Sequence, residues 1–141
     1  MEKIKIFLVE DNRTENILLK LSLSSFTNIS TQSFTNGKAL INNLTSSPDI
    51  VIVDLMLPDI SGLDLIKMIK EYDENIKIIV VSAQKDVDYI AKVQAEGIYN
   101  YIVKCDKCIE NLHNTISELI TILKCRKTLK DIPLTEGNLY Y

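Results

Sequence analysis

Four short runs of the chain are apolar almost without interruption: Ile4–Val9, Ile50–Val53, Ile76–Val81 and Tyr99–Val103. Runs of that length suit strands and are too short for helices. A strand that is apolar on both faces is buried on both, which points to a parallel sheet covered by helices. A weaker run at 29–34, ISTQSF, reads as an edge strand. Between these runs lie segments with apolar residues near helical spacing. Thr14–Ser24 carries Ile17, Leu18 and Leu21; Lys38–Leu44 is a short helix after the Asn36-Gly37 turn; Gly62–Tyr72 carries Leu63, Ile66 and Ile69. Asp86–Glu96 carries Val87, Ile90, Ala91 and Val93, and Asp106 to about Lys127 carries Ile109, Leu112, Ile116, Leu119, Ile120 and Leu123 on one stripe. Five strands alternating with five helices define an α/β fold.

Several classes are excluded on composition. A chain of 141 residues with no repeat or low-complexity linker is expected to form one domain with one substantial core. A net charge of −3 argues against direct nucleic-acid binding by the whole domain. No stretch reaches the roughly 18 apolar residues of a membrane span. The opening MEKIKIFLVED lacks the apolar region of a signal peptide, so a cytoplasmic location without a membrane partner is expected. Three cysteines, an odd number, fit a reducing compartment.

In open parallel sheets the functional crevice lies at the carboxyl ends of the strands. The first strand ends in Glu10-Asp11, the third in Asp54, the fourth in Ser82-Ala83 and the fifth in Lys104. Any one of these alone reads as ordinary turn chemistry. Together they set three carboxylates, a hydroxyl and an ammonium on one rim. Three neighbouring carboxylates resist joint ionisation unless a cation sits among them. Oxygen donors without Cys or His at the rim favour Mg²⁺ over zinc or copper. Lys104 supplies a point charge for an anion and Ser82 a hydrogen-bond donor. That set suits phosphoryl transfer, with Asp54 as the nucleophile that becomes an aspartyl phosphate.

Over roughly residues 3–125 the chain resembles the response-regulator receiver domains of two-component signalling, similar to chemotaxis receivers. The run Asp54-Leu55-Met56-Leu57-Pro58-Asp59-Ile60-Ser61-Gly62 resembles the family's phosphoacceptor loop. Glu10-Asp11 resembles its acidic pair, Ser82-Ala83 its switch hydroxyl and small neighbour, Lys104 its lysine and Tyr101 its switch aromatic. The resemblance implies a flavodoxin-like doubly wound five-stranded parallel sheet of order 2-1-3-4-5. It implies that Asp54 accepts a phosphoryl group from a sensor histidine kinase or a histidine phosphotransfer protein. Asp11, Asp54 and the backbone carbonyl of Met56 would hold Mg²⁺, with Glu10 helping through water. Lys104, Ser82 and the backbone amide of Ala83 would bind the phosphoryl oxygens, and Ser82 and Tyr101 would form the switch. Slow autodephosphorylation, rather than turnover of a separate substrate, would end the signal. The face of the fourth helix, fifth strand and last helix would dock a downstream partner or a second copy of the chain.

The domain is expected to span 1–125, followed by a tail at 126–141 with no output domain. Cations around that boundary, Lys124, Arg126, Lys127 and Lys130, read as complements to a helix dipole. The alternatives are a phosphorylation-independent scaffold, a receiver cut from a longer transcriptional regulator, and an aspartyl phosphatase. Met56 stands where the phosphatase would need a second acid. One position departs from the family. Cys105 follows Lys104, where receivers usually place a proline behind a cis bond. Because a non-proline cis bond costs about 2.5–4 kcal/mol, a trans bond is favoured here. The replacement also creates Cys105-Asp106-Lys107-Cys108 at the start of the last helix, where thiols are activated. A packing role is favoured over redox or zinc binding, since no thioredoxin-like fold or second ligand pair accompanies it.

Overall fold

The computed structural model describes residues 3–130. Its elements follow one another as β1 (Ile4–Val9), α1 (Arg13–Leu23), β2 (Ile29–Phe34), α2 (Gly37–Asn42), β3 (Ile50–Val53), α3 (Gly62–Tyr72), β4 (Lys77–Ser82), α4 (Val87–Ala95), β5 (Asn100–Val103) and α5 (Cys108–Lys130), with a 3₁₀ turn at Leu44–Ser46. The five strands form one sheet of order β2-β1-β3-β4-β5, and every pairing is parallel. This is the flavodoxin-like order that the resemblance implied.

Successive residues of each central strand point to opposite faces. Phe7, Val9, Val51, Val53, Ile78 and Val80 therefore meet α2, α3 and α4 through Leu40, Leu65, Ile66, Ile69 and Val93. Ile6, Leu8, Ile50, Ile52, Ile79 and Val81 meet α1 and α5 through Leu19, Leu23, Leu112, Ile116 and Leu119. Burying each such side chain stabilises by about 1.5–3 kcal/mol. The helices start where side chains satisfy their free amides: Asn12 caps α1, Asn36 caps α2, Ser61 caps α3 and Asp86 caps α4. Among the described residues no helix is long and apolar enough to cross a membrane.

The rotation of α1 differs from the sequence expectation. Ile17, Leu18 and Leu21, read as its inner stripe, are 52%, 52% and 62% exposed, and the buried face carries Asn16, Leu19 and Leu23. The cause is Asn16, whose amide donates to the carbonyls of Glu10 at 2.9 Å and Phe34 at 3.4 Å. Turning the helix to bury Ile17 would leave the Glu10 carbonyl without this donor and the Phe34 carbonyl with the Glu10 amide alone. In α4 only Val93 of the expected stripe is buried, and Val87 lies exposed. Ile76 is buried just outside β4, which takes in Ser82 instead. Helix α2 stops at Asn42, before the 3₁₀ turn. Helix α5 runs to Lys130, so positions 126–130 of the expected tail continue it, and 131–141 lie outside the described residues. No cis peptide bond occurs among the described residues, so Lys104–Cys105 is trans, as the sequence reading favoured.

The loop after β3 is fastened twice. Asp59 accepts from the backbone amides of Gly37 and Lys38, each at 2.9 Å, which ties the loop to the start of α2. Gly62 donates to the carbonyl of Leu55 at 3.2 Å, and a Cβ built on Gly62 would lie 2.5 Å from the Cα of Leu55. Backbone cannot yield as a side-chain tip can. Gly62→Ala is therefore expected to lose about 1–3 kcal/mol in denaturant unfolding. A variant as stable as the native protein would show that the loop is not held at this contact.

Candidate functional site

Because all five strands run the same way, β1, β3, β4 and β5 end on one edge of the sheet. The residues that follow them meet there. Glu10 and Asp54 are almost fully buried, at 1% and 5% exposure. Asp54 is held by its amide, which donates to the Val9 carbonyl at 3.0 Å, and its Oδ1 accepts from the Met56 amide at 3.1 Å. Lys104 leaves β5 with its amide bonded to the Ser82 carbonyl at 2.9 Å. Its Nζ donates to Glu10 Oε2 at 3.2 Å, Asp54 Oδ2 at 3.2 Å and Glu15 Oε2 at 2.5 Å.

One ammonium thus serves three carboxylates, and the charges do not balance. Burial and a hydrogen bond to Asp54 push the Glu10 carboxyl up to about 8, despite its own contact with Lys104. The shared cation cannot neutralise all three neighbours. Burial of Lys104 opposes its charge, but the hydrogen bond to Glu15 and the attraction of Asp54 and Glu10 prevail and hold its pKa above the ordinary lysine value. The bond from Lys104 lowers the pKa of Glu15. Oxygens of Glu10, Glu15 and Asp54 lie within 4.8 Å of one another, so this charge-frustrated set of hard donors fits a divalent cation such as Mg²⁺.

Of the residues singled out from sequence, the fold brings Glu10, Asp54 and Lys104 into contact. Ser82 is fully buried beside them, and its hydroxyl accepts from the Gln84 amide at 3.2 Å. Asp11 is exposed on the same turn, outside the three-carboxylate group. Ala83 is exposed at the rim, and the Met56 side chain points to solvent while its backbone stays at the site. Tyr101 is half-buried against the core, and its hydroxyl donates to the Gln84 carbonyl at 2.9 Å.

Glu15 went unnoticed in the sequence. Its signal was the Asn12-Arg13-Thr14-Glu15 spacing, in which the third helical residue normally reaches back to the cap's amide. Here Glu10 Oε1 already accepts from the Asn12 amide at 3.2 Å. The carboxylate of Glu15 is thereby left to turn toward Lys104.

Residues 6–117 match the family model described as the response regulator receiver domain. The chain belongs to the response regulator receiver family. It is 38% identical over 100 residues to the transcriptional regulatory protein CssR of Bacillus subtilis, covering 70% of this chain and 44% of that protein. It is 32% identical over 114 residues to a protein-glutamate methylesterase/protein-glutamine glutaminase of Clostridium acetobutylicum, covering 78% of this chain and 33% of that one. The receiver thus spans less than half the length of these relatives. Its fold is shared with the signal receiver domain of a candidate Luxo repressor protein from Vibrio parahaemolyticus, at a TM-score of 0.82 and 23% identity over 92% of this chain and 99% of that one. A LuxR-family DNA-binding response regulator from Staphylococcus aureus aligns at 0.74 and 23% identity, over 82% of this chain and 98% of that one.

The crowding of the receiver's carboxylates sets a pH dependence. An unfolded glutamate ionises near 4.5, whereas folded Glu10 keeps its proton to about 8. A raised folded pKa gives stability that is complete below pH 4.5 and is lost as pH climbs toward 8. Glu10→Gln, which cannot ionise, is expected to flatten that decline and to melt higher than the native receiver near pH 8 without divalent cations. Melting curves across this range check it, and parallel slopes for the two proteins would contradict it.

Proposed function

We propose that this receiver is a phosphoacceptor switch in which Asp54 takes a phosphoryl group from the phosphohistidine of a sensor histidine kinase or a histidine phosphotransfer protein. The observation that supports it best is Lys104 Nζ at 3.2 Å from Asp54 Oδ2, on a rim that also carries Glu10 and Ser82. The Asp54 oxygen attacks phosphorus, the bond to the imidazole nitrogen breaks with its electron pair returning to the ring, and an acyl phosphate remains. Positioning and charge neutralisation carry such a transfer. Mg²⁺ held by Asp11, Asp54 and the Met56 carbonyl, with Glu10 through water and Glu15 within reach, would neutralise charge on the phosphoryl oxygens. Lys104, the Ser82 hydroxyl and the Ala83 amide bind those oxygens from the protein side.

The phosphoryl group adds a charge of about −1.5 to −2. Ser82 moves toward it, and Tyr101, bonded to the loop carbonyl of Gln84, follows into the space. That coupling reshapes the face of α4, β5 and α5, where a downstream partner or a second copy docks. The receiver turns over no separate substrate, and hydrolysis of its own acyl phosphate resets it. The domain, expected over 1–125, extends along α5 to Lys130, and whatever output accompanies it acts through that face.

Intact mass after treatment with acetyl phosphate and Mg²⁺ tests the reading. One stable phosphoryl addition is expected in the native receiver and none in Asp54→Asn. A scaffold would show no addition in either protein, and a phosphatase would show turnover. Labelling of Asp54→Asn at the native rate would remove Asp54 from its role.

Glu15 has a directional consequence. Lys104 cannot engage a phosphoryl group on Asp54 while it also holds three carboxylates. Glu15, with 41% of its side chain exposed, is displaced at least cost. Glu15→Gln removes an anionic competitor, so phosphoryl uptake from acetyl phosphate should rise several-fold. Uptake that falls instead would mean that Glu15 helps the transfer.

A further inference from the structure

Cys108 packs at the margin of the apolar layer under α1 and α5, as the sequence reading favoured, but burial does not confine the cysteines to that role. Cys105 is exposed and Cys108 is only half-buried, and all three cysteines of the described residues are free thiols. The Cys108 amide donates to the Cys105 carbonyl at 3.1 Å, closing a tight turn between β5 and α5. Such a turn brings its first and fourth Cα atoms within about 7 Å. A disulfide spans Cα separations of about 4.4–6.8 Å. The turn therefore sets the two cysteines near the spacing that the bond requires. Both cysteines also line one cavity of about 220 Å³, together with Leu18 and Ile109 on its apolar side and Glu15 and Lys104 on its polar side. Cys105, exposed beside this cavity, is open to an oxidant from solvent, next to the lysine that holds the carboxylates together.

We propose that Cys105 and Cys108 form a reversible dithiol–disulfide pair that gives the receiver a redox input at Lys104, an effect on phosphorylation that rests on the phosphoacceptor reading above. The oxidant is a low-molecular-weight disulfide such as oxidised glutathione. One cysteine thiolate attacks a glutathione sulfur and expels a glutathione thiolate, leaving a mixed disulfide. The second cysteine thiolate then attacks the protein sulfur of that bond and expels the other glutathione. Two protein thiols become one disulfide, one oxidised glutathione becomes two reduced, and the thiol protons pass to the departing thiolates. The new bond tightens the turn on which Lys104 rides and draws its ammonium away from Asp54. Cys125, about 25 Å further along α5 at helical rise, has no partner in this chemistry and serves as an internal control.

The receiver is treated with oxidised glutathione, freed of it, alkylated, and analysed by intact mass and peptide mapping. The expected product carries an internal Cys105–Cys108 link, lighter there by two hydrogens, with Cys125 as a free thiol or a single glutathione adduct, and full reversal by dithiothreitol. Cys108→Ser should form no internal link. Separate glutathione adducts on Cys105 and Cys108, or two free thiols, would overturn the pair. Phosphoryl uptake from acetyl phosphate is then compared between oxidised and reduced protein. Uptake should fall several-fold on oxidation in the native chain and stay level in Cys105→Ser/Cys108→Ser. An unchanged rate in the linked protein, or an equal fall in the double variant, would overturn the coupling to Lys104. If the reduced protein takes up no phosphoryl group, the phosphoacceptor reading fails, while the mass result still decides the pair.

Discussion

One ammonium among three carboxylates is the interaction on which the rest of this receiver depends. Lys104 directly follows β5, and its ammonium meets groups from α1 and from the residues that follow β1 and β3. Its ammonium gives the almost fully buried Asp54 a charged hydrogen-bond partner at 3.2 Å. It cannot satisfy Glu10 as well, and that surplus of negative charge leaves the site receptive to a cation or to rearrangement. A site with balanced charges would be more stable and would have less reason to change.

The scaffold supports this imbalance by being rigid around it. Two apolar layers, one on each face of the sheet, hold the strand ends in register. Asn16 locks α1 against the loops that follow β1 and β2, and Asp59 locks the phosphoacceptor loop against α2. Polar side chains with fixed partners thereby set the geometry of the rim, while the apolar core sets the distance between its elements. The rotation that Asn16 imposes on α1 leaves Ile17, Leu18 and Leu21 facing outward. Leu18 consequently lines the cavity beside Lys104.

Most of the fold was legible because its signals are local. Apolar runs such as Ile50–Val53 have too few residues for a helix, and Gly62, Asn36 and Asp86 punctuate the chain in ways that follow from backbone chemistry. Strand ends were legible for the same reason, and with them Glu10, Asp54, Ser82 and Lys104. The face of α1 was not legible. Its apolar residues outnumber what one face holds, and only the two carbonyls that Asn16 meets decide which side turns inward. Glu15 was hidden for a related reason. The cap pattern predicts a bond to the Asn12 amide, but that amide is taken by Glu10 in the same turn, and the partner Glu15 finds instead, Lys104, lies 89 residues away.

By itself the sequence determined the α/β class, the alternation of strands and helices, and which chemical groups stand at the strand ends, because hydrophobic period and turn chemistry act over a few residues. Tertiary structure alone decided which carboxylates share Lys104, that Glu15 joins Glu10 and Asp54 while Asp11 lies exposed beside them, and that Cys105 and Cys108 share a cavity with the lysine. These outcomes depend on distances between groups as many as 94 residues apart along the chain, in the case of Glu10 and Lys104. Electrostatic energy depends on separation in space, and only the assembled parallel sheet sets that separation.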